Sequence, residues 1–244
     1  GRPGPVLIDI PKDITAQVTD YEPKEKEEPA KCTKTIRDED VEKALELINE
    51  SKKPIIYAGG GVCSSEASEE LLELAEKLNS PVTLSLMGMG AFPATHDLYT
   101  GMVGMHGTKT SNLAVTQCDL LIAIGARFSD RVISRLDRFA PNAKILHIDI
   151  DEAEVNKNVI AEHHIIGDVK EVLKRLNKGI ETKERSEWLS FIKDLKQKYP
   201  LQYSGNGLSP QYILNKIYEL TNGDAIIATE VGQHQIWTAQ NYKF

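Results

Sequence analysis

Several glycines, arginines and aspartates in this sequence stand directly after apolar runs, where a nucleotide could be bound. Gly59, Gly60 and Gly61 follow one such run. Glycine lets the backbone approach a ligand, and the N–H groups at the start of a following helix can bind a phosphate. The triplet is not a GxGxxG motif, and glycine after a strand is often only a turn. A phosphate loop and a simple turn are therefore both open interpretations of this feature.

The segment GARFSDR carries two arginines, four residues apart, beside a glycine. Guanidinium groups pair with phosphate oxygens, so Arg127 and Arg131 next to Gly125 suit a pyrophosphate. Asp130 lies between the arginines and offers the alternative of a structural ion-pair cluster. The segment therefore indicates either an anion site or a loop whose charges pair with each other.

A long loop rich in glycine and methionine lies between Met87 and Gly107. Loops of this length in a compact domain usually have a function, and glycine with methionine gives a pliable apolar wall suited to a flat ring. A mobile lid without a ligand is the alternative. We expect His106, in the segment GMHG, to contact a ligand or the backbone rather than act as a base, because no carboxylate adjoins it in the sequence.

Asp149 and Asp151 stand at the end of the run KILHIDI, placed to accept hydrogen bonds from ribose hydroxyl groups. Phosphate-, ribose- and ring-binding groups would thus meet at one edge, which favours a dinucleotide more strongly than any single segment does. The sequence has no nucleophile elbow with a Ser/His/Asp order, no HExxH and no P-loop. Nothing in it predicts a self-contained catalytic apparatus.

Short apolar runs that alternate with amphipathic helices must position these groups. Runs that are apolar on both faces predict a parallel sheet flanked by helices, an α/β fold of dinucleotide-binding type with its ligands at the carboxyl ends of the strands. We expect strands at 6–10, 54–58, 81–86, 119–124, 144–150, 164–166 and 225–228. We expect one helix capped by Asp38, one capped by Ser64 or Ser65 and one that starts at Ser209 and Pro210. Other helices are expected over 109–117, 169–176 and 181–199.

The composition narrows the class of protein. With 41% hydrophobic residues, 27% charged residues and a net charge of −7, the chain has material for a core and lacks the basic balance of a nucleic-acid-binding protein. It has no run of 18 apolar residues, so no membrane span is expected. The cysteines, Cys32, Cys63 and Cys118, form no CxxC pair, which favours a reducing compartment over a disulfide framework or a zinc site. We therefore expect a cytoplasmic protein without nucleic-acid or membrane partners.

Three segments taken together resemble the acetolactate synthase large-subunit family. They run from PVTLSLMGMG to GARFSDRV, over KILHIDIDEAEVNKN, and over DAIIATEVGQHQIWTAQNYKF. The opening GRPGPVLIDIPKD is similar to the end of that family's first domain, so the match covers the whole chain. The combination of GMHG, GARFSDR and EVGQHQ makes the resemblance specific. Ser129 and Glu152 depart from the aspartate and the proline that many relatives carry at these positions.

The resemblance implies the central, FAD-binding domain of a three-domain thiamine-diphosphate enzyme. The residues that it implies for contact with FAD are Gly59, Gly60, Gly61, Leu86, Met87, Gly88, His106, Gly107, Gly125, Arg127, Arg131, Asp149, Ile150 and Asp168. It places Met105 and Asp130 near the substrate channel, and Gln233 and His234 where the third domain contacts thiamine diphosphate. It implies no catalytic residue and no metal ligand in this segment.

The resemblance also divides the chain into domains. Residues 1–20 would end the pyrimidine-binding domain, 21–34 would form a linker and 35–178 the FAD-binding domain. Residues 179–207 would be a connector helix, and 208–244 would begin the pyrophosphate-binding domain. Because the family's activating glutamate and magnesium motif have no counterpart here, we expect the segment to be inactive by itself.

The activity implied for the complete subunit is a transferase reaction of branched-chain amino-acid biosynthesis, leading to isoleucine and valine. Two 2-keto acids condense with loss of carbon dioxide, using thiamine diphosphate and Mg²⁺, while FAD is structural. The implied partners are a second large subunit, in a homodimer or tetramer, and a regulatory small subunit. A stand-alone module that binds ADP or FAD without catalysis is the alternative from another class.

Overall fold

The computed structural model describes residues 2–23, 35–201 and 207–244. The strands in these ranges are β1 (Pro54–Ala58), β2 (Val82–Leu84), β3 (Tyr99–Met102), β4 (Leu120–Ile124), β5 (Lys144–Asp149) and β6 (His163–Ile166). The helices are α1 (Lys12–Thr15), α2 (Asp38–Glu50), α3 (Gly60–Ser64), α4 (Ser68–Leu78), α5 (Lys109–Gln117), α6 (Asp130–Ile133), α7 (Val169–Gly179), α8 (Ser186–Lys198), α9 (Pro210–Thr221) and α10 (Gln233–Asn241). In this part of the chain, no helix is long and apolar enough to cross a membrane.

The six strands form one parallel sheet in the order β3-β2-β1-β4-β5-β6. The chain first builds outward from β1 through β2 to β3, then returns to place β4 on the other side of β1. This is the strand order of doubly wound dinucleotide-binding folds, in which ligands lie in the crevice where the direction reverses. The α/β prediction is confirmed, and the crevice is located beyond the carboxyl ends of β1 and β4.

The strands are apolar on both faces because helices cover both faces of the sheet. In β1 and β4, Ile56 and Ile122 pack into one buried cluster with the inner faces of α2, α4 and α7. Their neighbours Ile55 and Leu121 point the other way, into a second cluster with α5 and α8. Alternate residues of the same strand thus serve two cores, which explains the unbroken apolar runs.

Helix α8 contributes to the second core. Trp188 is buried and donates a hydrogen bond from Nε1 to the carbonyl of Pro54, at 2.8 Å. Just before the helix, the buried guanidinium of Arg185 donates to the carbonyls of Leu78 and Ser51. These contacts attach 186–198 to the amino-terminal side of the sheet, while the predicted boundary at residue 178 stays a prediction.

The predicted strands at 6–10 and 225–228 are wrong. Both segments are without regular structure, and side chains such as Leu7 and Ile226 are fully or almost fully exposed. A strand needs a neighbouring strand to satisfy its backbone N–H and C=O groups. Within the described ranges neither segment pairs with another, so apolar composition alone misled the prediction.

Other differences concern short elements. The predicted loop between Met87 and Gly107 contains strand β3, which went unrecognised because its sequence, YTGM, has glycine and threonine at the edge of the sheet. Ser64 and Ser65 end α3 instead of capping the next helix, which begins at Ser68. Asp38 is the first residue of α2 and not its cap. The predicted helix start at Ser209 and Pro210 is confirmed: α9 begins at Pro210, and the hydroxyl of Ser209 accepts a hydrogen bond from the N–H of Tyr212 at 3.1 Å.

Candidate functional site

The loops after β1 and β4 lie directly against each other at the reversal point of the sheet. The N–H of Gly59 donates to the carbonyl of Ile124, and that of Gly61 to the carbonyl of Gly125, both at 2.9 Å. A Cβ on Gly59 would lie 2.3 Å from the Gly125 oxygen, and Gly125 itself has a φ of +54°. Glycine is required here so that two backbones can touch, a reason that the sequence interpretation did not include.

A 3₁₀ turn over Leu86–Gly88, directly after β2, packs onto the loop after β1. A Cβ on Gly60 would lie 3.0 Å from the carbonyl oxygen of Met87, and one on Gly88 would lie 2.6 Å from that of Ala58. The hydroxyl of Ser85 accepts a hydrogen bond from the N–H of Gly88 at 3.1 Å. The side chain of Met87 is 74% exposed, so this turn presents an apolar chain at the carboxyl edge.

The loop after β3 joins the same edge. The N–H of Met105 donates to the carbonyl of Arg131 at 2.8 Å, and a guanidinium nitrogen of Arg131 lies 3.7 Å from the Met105 sulfur. Gly104, with a φ of +107°, brings the two backbones together, because a Cβ there would lie 2.5 Å from the Arg131 oxygen. Met105 and His106 are exposed. The structure therefore brings the GMHG and GARFSDR segments together.

The two arginines of GARFSDR have no carboxylate partner in the described part of the chain. Arg127 and Arg131 are exposed, and neither forms an ion pair with Asp130. The Asp130 carboxylate instead accepts the backbone N–H of Arg131 at 2.9 Å. The alternative of a structural ion-pair cluster is not what the structure shows, and both guanidinium groups are left available to an anion.

Asp149 lies at the carboxyl end of β5 and is buried, where it accepts the N–H of Asp151 at 2.9 Å. Burial raises the pKa of Asp149. The ring of His147, two residues earlier, is 3.8 Å away, and burial lowers the pKa of this histidine. Asp168 accepts the N–H of Glu171 at 3.2 Å and caps α7, so its carboxylate has a structural role whether or not it also meets a ligand.

Gln233 and His234 lie in the first turn of α10 and are exposed. Among the described residues, neither forms a side-chain hydrogen bond with the predicted FAD set; the contact from this helix comes from Gln240, which donates to the carbonyl of His106 at 2.7 Å. The sequence predicted a loop over 229–234, and the helix that starts at Gln233 was not expected. The described residues contain no group of three or more His, Cys, Asp or Glu side chains placed to hold a metal ion.

Sequence reasoning missed three residues that contact the GARFSDR loop. Tyr57, His147 and Asn158 each donate a side-chain hydrogen bond to a backbone carbonyl of 126–128. A signal existed for two of them, because Tyr57 and His147 are polar residues that stand between apolar neighbours in their strands. Asn158 lies in an irregular segment, and nothing in the sequence marks it.

Taken together, the carboxyl edge carries two unpaired guanidinium groups, a buried carboxylate at a strand end and exposed methionine side chains. Groups of these kinds could hold a pyrophosphate, a ribose and a flat ring system, respectively. All of these groups lie around the same crevice at the carboxyl edge of the sheet.

Comparison with known proteins agrees with this fold. Residues 41–176 match the model of the thiamine pyrophosphate enzyme central domain. The chain is 44% identical over 254 residues to the acetolactate synthase large subunit of Corynebacterium glutamicum, a match that covers 100% of this chain and 41% of that protein. It is 47% identical over 259 residues to the probable acetolactate synthase large subunit of Methanocaldococcus jannaschii, covering 100% of the chain and 44% of that protein.

The similarity extends to a plant protein. Over 256 residues the chain is 46% identical to acetolactate synthase 2, chloroplastic, of Nicotiana tabacum, covering 100% of this chain and 38% of that protein. The chain thus spans about two fifths of the length of the curated relatives that it matches. Since the family model covers more than half of the chain, this protein belongs to the thiamine pyrophosphate enzyme family, through that family's central domain.

Proposed function

We propose that this chain is the central part of an acetolactate synthase large subunit. The observation that carries the proposal is identity of 44–47% along the whole chain to proteins with that name. The complete subunit would condense two 2-keto acids with loss of carbon dioxide in branched-chain amino-acid biosynthesis. The 244-residue chain alone is expected to be inactive.

The carboxyl edge of the sheet would hold FAD. The unpaired guanidinium groups of Arg127 and Arg131 support binding of the pyrophosphate, since charge-assisted hydrogen bonds to phosphate are strong. The buried carboxylate of Asp149 supports binding of ribose hydroxyl groups. The exposed side chains of Met87 and Met105 give an apolar surface for a flat ring. FAD, when bound, would act as a structural cofactor without net redox turnover.

Thiamine diphosphate, when bound with Mg²⁺, supplies the stabilisation of negative charge that decarboxylation of a 2-keto acid requires. In this chain, Gln233 and His234 are the candidates for contact with it. Their exposure in the first turn of α10 leaves them accessible to a ligand. Met105 and Asp130, at the meeting of two loops, are the candidates for the substrate channel.

The proposal includes partners and location. The names of the relatives as large subunits support assembly with other subunits, either a second copy in a homodimer or tetramer or a regulatory small subunit. Large apolar side chains are exposed in 2–23 and 208–231, for example Leu7, Val18 and Ile226. Exposed apolar groups of this size are typical of surfaces that another segment or subunit covers. A cytoplasmic location completes the proposal.

Two measurements test the proposal. Titration of the chain with FAD, followed by quenching of flavin fluorescence, should show saturable binding. The complete protein that contains this chain should form acetolactate from pyruvate when thiamine diphosphate and Mg²⁺ are added. The chain alone should not. ADP binding with the same affinity as FAD, together with no turnover by the complete protein, would instead support a stand-alone nucleotide-binding module.

A further inference from the structure

Each of four consecutive carbonyl groups in the loop after β4 accepts a hydrogen bond from a different part of the chain. These carbonyls belong to residues 125–128. The donors are the N–H of Gly61 (2.9 Å), Nε2 of His147 (3.0 Å), the hydroxyl of Tyr57 (3.1 Å) and Nδ2 of Asn158 (2.7 Å), in that order. Four donors that are far from it in sequence thus hold this short irregular loop.

His147 is the donor to the carbonyl of Ala126. Its ring is 99% buried in β5 and lies edge-on to Phe128, with ring centroids 5.1 Å apart. A carbonyl oxygen only accepts hydrogen bonds, so Nε2 of His147 must carry the proton that it shares with Ala126. A donor fixed in this way holds one tautomer and one ring orientation.

Tyr57 and Asn158 hold the next two carbonyls. The Tyr57 ring is also buried, and its hydroxyl reaches the carbonyl of Arg127 from β1. Asn158 reaches the carbonyl of Phe128 from the segment after β5. The backbone around Arg127, whose side chain is exposed, is therefore not free to rotate.

The orientation of these carbonyls also decides where the loop's N–H groups point. In a trans peptide the N–H is antiparallel to the C=O of the preceding residue. The N–H groups of Ala126, Arg127 and Phe128 therefore point away from the donors that hold the preceding carbonyls. In the described part of the chain these three N–H groups have no hydrogen-bond acceptor. Successive N–H groups without an acceptor in the protein bind an anion where the backbone turns so that they converge.

We propose that the backbone N–H groups of 126–128 form an anion-binding surface for the FAD pyrophosphate, and that His147, Tyr57 and Asn158 are the positioning residues that orient it. The proposal rests on the proposed function, because FAD is the ligand. It deepens that function by assigning binding to the backbone as well as to the Arg127 guanidinium.

The test compares FAD binding among variants of the full chain. His147→Leu and Tyr57→Phe each remove one donor, and each should weaken FAD binding roughly tenfold and change the visible circular dichroism of the bound flavin. His147→Gln restores an amide donor, so it should recover part of both signals. Tyr57→Phe keeps the ring and removes one oxygen atom, so it tests the proposal even if His147→Leu does not fold.

His163 provides a matched control. It too is a buried strand histidine, and its Nε2 bonds the carbonyl of Asp40 at 2.8 Å, away from the loop. His163→Leu should lower the urea midpoint but leave FAD affinity within about twofold. Wild-type affinity and circular dichroism in both His147→Leu and Tyr57→Phe would overturn the positioning role while leaving FAD binding intact. No FAD binding by the wild-type chain would overturn the flavin proposal and this inference with it.

Discussion

The side-chain amide of Gln240 donates a hydrogen bond to the backbone carbonyl of His106 at 2.7 Å. Nearby, the N–H of Ala94 donates to the carbonyl of Phe244 at 3.0 Å. These contacts fasten α10 and the residues directly after it to the loops on either side of β3. The helix that begins with the candidate thiamine-diphosphate residues is thereby attached to the GMHG segment of the candidate flavin site.

Loss of the Gln240 amide should loosen the GMHG loop. In Gln240→Leu we expect amide hydrogen exchange at Gly107, whose N–H bonds the Gly104 carbonyl inside this loop, to become about twofold to tenfold faster. Gln117→Leu, at an exposed position ending α5, is the control and should leave this exchange rate unchanged. Equal exchange in all three proteins would show that the hydrogen bond does not hold the loop.

The Arg127 side chain should contribute directly to FAD affinity. Arg127→Ala would remove the proposed charge-assisted contact with the pyrophosphate, for which we expect a loss of about 1.5–3 kcal/mol, or roughly tenfold to a hundredfold in Kd. Flavin fluorescence quenching measures the change. Arg135→Ala is the control, because Arg135 is an exposed arginine already paired with Asp137 at 2.6 Å. The prediction fails if Arg127→Ala and Arg135→Ala bind FAD equally well.

The sequence was sufficient for the central strands and for much of the candidate site. β1 and β4 were predictable because strands covered on both faces are made of apolar residues, and 54–58 and 120–124 are apolar apart from the Tyr57 hydroxyl. The segments GMHG and GARFSDR could be placed at one edge because parallel strands end on the same side. The structure also brings the two segments into direct contact through Met105 and Arg131, which was not predicted.

What the sequence could not supply depends on long-range contacts. The strand β3 has only four residues, two of them threonine and glycine, and its pairing with β2 decides its conformation. The segments 6–10 and 225–228 are as apolar as true strands, and only the lack of a neighbour distinguishes them. The contact of Asn158 with Phe128 joins residues 30 positions apart and leaves no local pattern.

Gly59, directly after β1, should be required for the close packing of two backbone segments. In Gly59→Ala the new methyl group would lie 2.3 Å from the Gly125 oxygen and 2.6 Å from the Ala126 Cα, and neither backbone atom can move without disturbing β4. We expect a loss of about 1–3 kcal/mol in the free energy of unfolding, measured with urea. Gly179→Ala is the control, because its methyl group would meet only the flexible end of Leu45. Equal stability of the two variants would contradict the backbone-contact explanation.

His147 should make the fold sensitive to mild acid. Burial lowers the pKa of His147 below the usual 6.5, and the repulsion of His164 lowers it as well. The attraction of Asp149 and Glu154 opposes this shift. The unfolded chain then binds a proton more readily than the folded one, so stability is lost as pH falls through about 6.5. The slope from one such group is at most about 1.4 kcal/mol per pH unit.

Urea unfolding at pH 7.5, 6.5 and 5.5 isolates this contribution. His147→Gln keeps a donor but does not titrate, so the variant should lose less stability than the wild type between pH 7.5 and 5.5. Burial raises the pKa of Asp149, so ionisation of this group lowers the stability of the fold as pH rises from about 3.8. Asp149 is present in both proteins. Tyr57→Phe removes a hydrogen bond from the same loop and no group that titrates in this range, so its stability deficit should be constant across the three pH values. A wild-type and a His147→Gln profile that run parallel would show that His147 titrates alike in the folded and unfolded chains.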